Sequence, residues 1–194
     1  MKSSVRVAIF LTAGLCVSAL LQAQNKADTT QKPFVSGGRI DMQLDGGDYA
    51  VRAAADNHIR VTLSGNTGNA RVELTINGTR ASVVVKDTPH RDFKGTIEVP
   101  KAADLVIRLS AGNLVMAAIT GNKEVENTAG NTEIAVGDAN EYSSVDASVK
   151  VGDIDAGVFG GSKSGHFQHF TWSGRGKYTL RAKVGAGNLV LRSK

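Results

Sequence analysis

Beyond residue 33 the chain alternates apolar and polar residues in short runs, and the alternation keeps restarting at a glycine followed by Asn or Asp. Four stretches show it most plainly: SAGNLVM (110–116), TAGNTEI (128–134), KVGDIDA (150–156) and GAGNLVL (185–191). With Gly112, Gly130, Gly152 and Gly187 in register, the next position holds Asn113, Asn131, Asp153 and Asn188. Two after the glycine come Leu114, Thr132, Ile154 and Leu189, and four after it Met116, Ile134, Ala156 and Leu191. One before it stand Ala111, Ala129, Val151 and Ala186, three before Leu109, Asn127, Val149 and Val184, and five before Ile107, Val125, Ala147 and Ala182. A period of two predicts strands. The parity reverses at the glycine, so each unit reads as strand, Gly-Asx corner, strand, with odd positions before the corner and even positions after it facing inward. Glycine supplies the positive-φ bend, and Asn or Asp bonds to nearby backbone.

The shared glycines are 18, 22 and 35 residues apart. The first two steps suit one coil of a stack, and the third suits a coil carrying an inserted loop at about 157–177. Weaker copies precede them: SGGRIDM (36–42) and DGGDYAV (45–51). Gly121-Asn122 falls midway between Gly112 and Gly130. Units of this size bury a shared core only together. The predicted fold is therefore all-β, a β-solenoid or β-helix-like stack of short strands with Gly-Asx corners. RVELTI–NG–TRASVVV (71–85) adds an antiparallel hairpin in the N-terminal half. An antiparallel β-sandwich or roll is the alternative.

The N-terminus changes the picture of where this fold works. Lys2 and Arg6 precede an uncharged, mostly apolar run, Val7 to Leu21, followed by polar residues. So short a run reads as a cleaved secretory signal over residues 1–23 rather than a membrane anchor. Residues 24–33 then form a flexible mature N-terminus, and 34–194 a single β-repeat domain. The expected location is the periplasm or the cell surface, with no stable membrane span once the signal is removed. Cys16, the lone cysteine, lies in the apolar run, so the remainder has no disulfide or thiolate chemistry. Losing Lys2 and Arg6 takes the net charge from +5 to +3, too slight to suggest nucleic acid as a partner.

Candidate chemistry is sparse. The Asx positions (Asn113, Asn131, Asp153, Asn188) behind Gly112, Gly130, Gly152 and Gly187 read as a structural turn ladder. His166 and His169 form H-x-x-H, but residues three apart on a strand face opposite ways, and no metal is expected. Glu133 and Asp155 hold equivalent positions, three after the glycine, and would stand about 5 Å apart if their units stacked directly. That pair is the one place for a carbohydrate-active site. No catalytic residue and no cofactor is assigned, because no nucleophile motif or phosphate-binding loop is present. Four positions before the glycine, Arg108, Glu126, Ser148 and Lys183 form an outward row of mixed charge. Phe167, Phe170, Trp172 and Tyr178 gather near the insertion and make the candidate binding patch, where an exposed Trp172 would stack on a sugar.

The stretches PFVSGGRIDM (33–42), GTIEVPKAADLVIRLSAGNLVM (95–116), TGNKEVENTAGNTEI (120–134) and KYTLRAKVGAGNLVLR (177–192) together resemble the bacterial putative-adhesin family of exported β-strand-repeat proteins. The resemblance implies a β-solenoid-like domain, exported or carried behind a membrane anchor. The expected function is a non-enzymatic, envelope-associated binding or structural module, adhesin-like, with a cell-envelope polysaccharide or another envelope protein as partner. A carbohydrate-active enzyme on a β-helix-like scaffold and an envelope-stress sensor are the alternatives.

Overall fold

The computed structural model describes residues 28–194, so the signal at 1–23, Cys16 and residues 24–27 lie outside the described residues. The strands are β1 (Asp28–Pro33), β2 (Arg39–Leu44), β3 (Asp48–Ala53), β4 (His58–Gly65), β5 (Arg71–Asn77), β6 (Arg80–Lys86), β7 (Phe93–Val99) and β8 (Asp104–Leu109). They continue with β9 (Leu114–Met116), β10 (Lys123–Ala129), β11 (Thr132–Ala135), β12 (Tyr142–Ala156), β13 (Gly161–Ser173), β14 (Tyr178–Ala186) and β15 (Leu189–Arg192). Alternation becomes burial residue by residue. In β2, Ile40, Met42 and Leu44 are buried while Arg39 and Gln43 face out. The protein is all-β, and its strands join into one mixed sheet.

Two columns of parallel strands make up most of that sheet. One runs β6–β2–β8–β10–β14–β12. The other runs β7–β3–β9–β11–β15–β12. The long strand β12 turns at Gly152 and belongs to both. Each step from the first column to the second passes through a corner, and inward side chains from both columns share one core, including Ile107, Val125 and Ala182 from the first and Leu114, Ile134 and Leu189 from the second. Antiparallel pairing is confined to the ends, where β5 lies on β6, β4 on β7, β1 on β4, and β13 on β12. The expected hairpin is β5–β6. Its closing pair is Asn77↔Arg80, so the tight turn is Gly78-Thr79, with Gly78 at φ 58°.

Four features depart from the sequence reading. The order of coils in space is not their order in the chain: β15 lies between β11 and β12, so Thr132 is flanked by Leu114 and Leu189, and Ile154 sits beyond Leu189. Residues 157–177 are not a loop, because after a short 3-10 turn (Gly157–Phe159) β13 runs back antiparallel along β12. That reversal leaves the other side of β12 open for β14 and β15. Residues 28–33, read as flexible, form β1 and pair with β4 over their whole length. Finally, the residues one before the glycine are not core: Ala111, Val151 and Ala186 are exposed and Ala129 is half-buried. The bend starts before the glycine, so this residue stands on its outer side.

Candidate functional site: the corner ladder and the C-terminal cap

At the corner between the columns, Gly47, Gly112, Gly130, Gly187 and Gly152 stand one above another. Their φ angles lie between +119° and +154°, a region that L side chains rarely enter. A Cβ on Gly130 would be driven into the carbonyl of Gly112, and one on Gly187 into that of Gly130. The following Asx residues bond from coil to coil. Asn113 Nδ2 donates to Asp48 Oδ1 (2.8 Å), and the Asn131 amide N–H donates to Asn113 Oδ1 (3.2 Å). The Asn188 N–H donates to Asn131 Oδ1 (3.1 Å), and the Asp153 N–H to Asn188 Oδ1 (3.2 Å). A second ladder runs along the opposite corner, where the Asn122 N–H donates to Asp104 Oδ1 (2.8 Å) and the Thr179 N–H to Asn122 Oδ1 (3.0 Å). Gly121-Asn122, at the half period, thus opens the first column as Gly-Asx opens the second. These side chains satisfy backbone donors that the bends take out of the strand ladders. Among the described residues no group of three or more His, Cys, Asp or Glu is placed to hold a metal ion.

The aromatic residues of the candidate patch separate. Phe170 and Trp172 point inward from β13, half-buried, and cover the end of the core. Trp172 packs on Phe159 (ring centroids 4.9 Å apart), and Phe159 packs edge-on against the buried Tyr142 (6.0 Å). Tyr178, at the start of β14, is half-buried with the Lys177 ammonium 5.5 Å from its ring centroid. Phe167 points away from all three and is 82% exposed. The structure therefore makes Phe170 and Trp172 a lid on the core and leaves Phe167 alone at the surface. The reason is parity: Gln168, Phe170 and Trp172 share the inward side, and Phe167 does not.

The remaining candidates do not converge either. Val190 of β15 stands between Glu133 and Asp155 in the same row, so the two carboxylates are not neighbours. Glu133 instead forms an ion pair with Arg192. Asp155 Oδ1 accepts the Gly157 amide N–H (3.0 Å). His169 Nε2 meets Asp146 Oδ1 (3.1 Å), while His166 lies opposite Val151. The outward row reads Arg108, Glu126, Lys183, Ser148 in spatial order, which places Glu126 between two cations.

Sequence reasoning missed Lys123. It is 2% exposed, its Nζ donates to Tyr142 Oη (2.6 Å) and to the Gly121 carbonyl (3.1 Å), and it lies 5.0 Å from the Tyr142 ring centroid. Tyr142 Oη donates in turn to the Val136 carbonyl (3.2 Å). Burial pushes the lysine down to about 8 and the tyrosine hydroxyl well up from its ordinary value. The signal was present. Seven residues before the shared glycine, Lys123 occupies the lane of Leu105 and Leu180, its partners on either side. Asn127 and Thr132 are buried in the same coil, and Asn127 Nδ2 donates to the Gly112 carbonyl (3.0 Å) and to Thr132 Oγ1 (3.1 Å).

No family model matches the sequence, and no curated protein matches it. Among solved structures, the chain is similar to a putative cell adhesion protein from Clostridium sporogenes, at 10% identity and a TM-score of 0.52, over 87% of this chain and 100% of that one. It also aligns with a putative adhesin from Bacteroides fragilis over 86% of this chain and 97% of that one, at 10% identity and a TM-score of 0.32. No helix among the described residues is long and apolar enough to cross a membrane. The all-β fold is thus one that this chain shares with the putative cell adhesion protein from Clostridium sporogenes.

Proposed function

We propose that the protein is a non-enzymatic, exported module of the cell envelope, adhesin-like, built as a short two-faced β-solenoid whose outer faces do the binding or structural work. The observation that carries this reading is where the polar side chains go. Asx residues of both corners are spent on ladders that tie coil to coil, and the outward rows place opposite charges side by side. Such a surface is rigid, extended and presented on two sides, which suits contact with a large partner. The enzymatic alternative loses the carboxylate pair that motivated it, since Val190 intervenes and Arg192 engages Glu133. The fold shared with a putative cell adhesion protein supports the same direction.

The test is fractionation of cells expressing the chain, followed by co-sedimentation of the purified secreted protein with envelope and cell-wall polysaccharide fractions. The reading expects retention by the envelope and no turnover across a broad panel of acidic glycans. Protein that stays in the supernatant with every fraction contradicts it.

A further inference from the structure

The two ends of the stack differ. At the N-terminal end the edge strands β1 and β5 lie against each other, and β1 stops at Pro33. At the C-terminal end β13 pairs with β12 on one side, and among the described residues no strand covers its other side. That free edge is 13 residues long and holds no proline. Natural sheets seldom leave so long an edge without a cover or a partner. The inward aromatics of β13, Phe170 and Trp172, are only half-buried, because no further coil lies beyond them.

The strand also bends at its middle. It rounds the corner opposite Gly152 with Gly165 at φ 116° and Phe167 at φ 53°. The other non-glycine residues with positive φ among the described residues are Asp87 and Asp92. Aspartate tolerates the left-handed region; a bulky aromatic does not. Phe167 is 82% exposed and adds nothing to the core, and strain of this kind is held where it serves a site. Arms of nearly equal length flank the bend. A two-fold axis through the corner therefore lays the strand antiparallel on a second copy of itself, bend on bend. A straight strand from another protein meets one arm only.

Side-chain parity fixes the register, because opposed residues of an antiparallel pair share a face. Gly161 and Lys163 lie opposite the buried Ala156 and Ile154, and Gln168, Phe170 and Trp172 opposite the buried Val149, Ala147 and Val145. These five are the inward positions. Inward meets inward, with the bends superposed, when His166 faces Phe167 of the second copy. Trp172 then faces Gly161, Phe170 faces Lys163, Thr171 faces Ser162 and His169 faces Ser164. An aromatic over a glycine, a lysine over a ring and a pair of hydroxyls are favourable cross-strand neighbours. No cation opposes another. Lys163, inward yet exposed, guards the edge against strands that offer it no ring.

We propose that β13 is a homodimer interface, in which two copies join edge to edge about the Gly165–Phe167 bend. The seam adds about ten backbone hydrogen bonds, since every second opposed pair exchanges two. It completes the cover of Phe170 and Trp172 and continues both columns into the second protomer. The closed N-terminal end stops the assembly at two. The dimer presents the outward faces twice, which strengthens contact with a repetitive partner.

The test is sedimentation equilibrium of the secreted protein, with cysteine pairing across the seam. The wild type shows a concentration-dependent equilibrium of monomer and dimer. Phe167→Gly weakens the dimer about tenfold, while its dilute monomer melts at an equal or higher temperature. In a Cys16→Ser background, a mixture of Ser162→Cys and Thr171→Cys oxidises to the 162–171 cross-link, whose opposed Cα atoms stand about 5 Å apart. Neither variant cross-links to itself. The proposal is overturned if the wild type stays monomeric at its highest soluble concentration or if Phe167→Gly dimerises as tightly. Cross-links 162–162 or 171–171 in place of 162–171 overturn it too. A monomer retained by the envelope overturns the dimer and leaves the envelope reading standing; a dimer that no envelope fraction retains supports the interface and contradicts that reading.

Discussion

The corners at Gly112, Gly130 and Gly187 and the corner at Gly165–Phe167 make the same bend under different constraints. In the interior each corner has a coil on both sides. The backbone must reach φ near +120° to +135°, and the next coil's carbonyl occupies the space a Cβ would need. Two independent demands thus select glycine, and the Asx that follows is selected by the donor it must satisfy. At β13 the stack ends, and one neighbour is missing. The bend still asks for positive φ, but nothing presses on the side chain, so a phenylalanine can be held there at the cost of local strain alone. Residue choices that stacking dictates speak of the fold; a residue that the bend disfavours and the stack does not require speaks of function.

The largest way to break this contrast is a methyl group in the interior. Gly130→Ala combines left-handed strain with a collision against the Gly112 carbonyl, and we expect a loss of about 3–5 kcal/mol in urea denaturation. Gly160→Ala is the control. Its φ is also positive, at 82°, but nothing lies within reach of the new methyl, so strain alone costs about 1–2 kcal/mol. Equal losses at the two positions would remove stacking from the explanation.

Lys123 gives the next effect. Its folded-state value is depressed to about 8, below that of the unfolded chain, so between about pH 8 and 10.4 the unfolded state binds more protons. Stability therefore rises with pH through that window, and the penalty is fully present below it. Lys123→Met should stabilise by about 1–3 kcal/mol at pH 7, less what the orphaned Gly121 carbonyl costs, and should flatten the pH dependence. A variant less stable than wild type at pH 7 would mean that the bonds to Tyr142 and Gly121 outweigh desolvation.

Asn131→Ala removes the rung between Asn113 and Asn188 and leaves the Asn188 amide without its acceptor, for an expected loss of about 1–2 kcal/mol by urea titration. Phe167→Gly should be the smallest effect and of opposite sign, a gain of about 0.5–1 kcal/mol as strain is relieved, partly offset by the freedom glycine adds to the unfolded chain. Calorimetry of the two variants side by side checks both signs.

Much of the fold was legible because stacking repeats a demand at fixed spacing. The positions five and three before the glycine and two and four after it are buried throughout, even where Asn127 and Thr132 fill them. The position one before failed because alternation says nothing about where a bend begins. The coil order failed for a different reason: identical-looking units are interchangeable as neighbours, and only the course of residues 157–177 decides which pair meets. Lys123 was hidden by its charge, although Leu105 and Leu180 mark its lane as inward. The aromatic patch was half legible. Composition located it, but parity on β13, which depends on pairing with β12, separates the lid residues Phe170 and Trp172 from the exposed Phe167.

The central claim is that β15 lies between β11 and β12, so that the corner ladder runs Asn131, Asn188, Asp153 in space. Paired cysteines on the outward row, in a Cys16→Ser background, test it directly. Glu133→Cys with Val190→Cys joins adjacent strands about 4.8 Å apart, within disulfide reach, whereas Glu133→Cys with Asp155→Cys spans two strands, about 9.6 Å. The account predicts rapid oxidation of the folded protein to the 133–190 cross-link and none to the 133–155 cross-link. The reverse result would place the coils in chain order and contradict it.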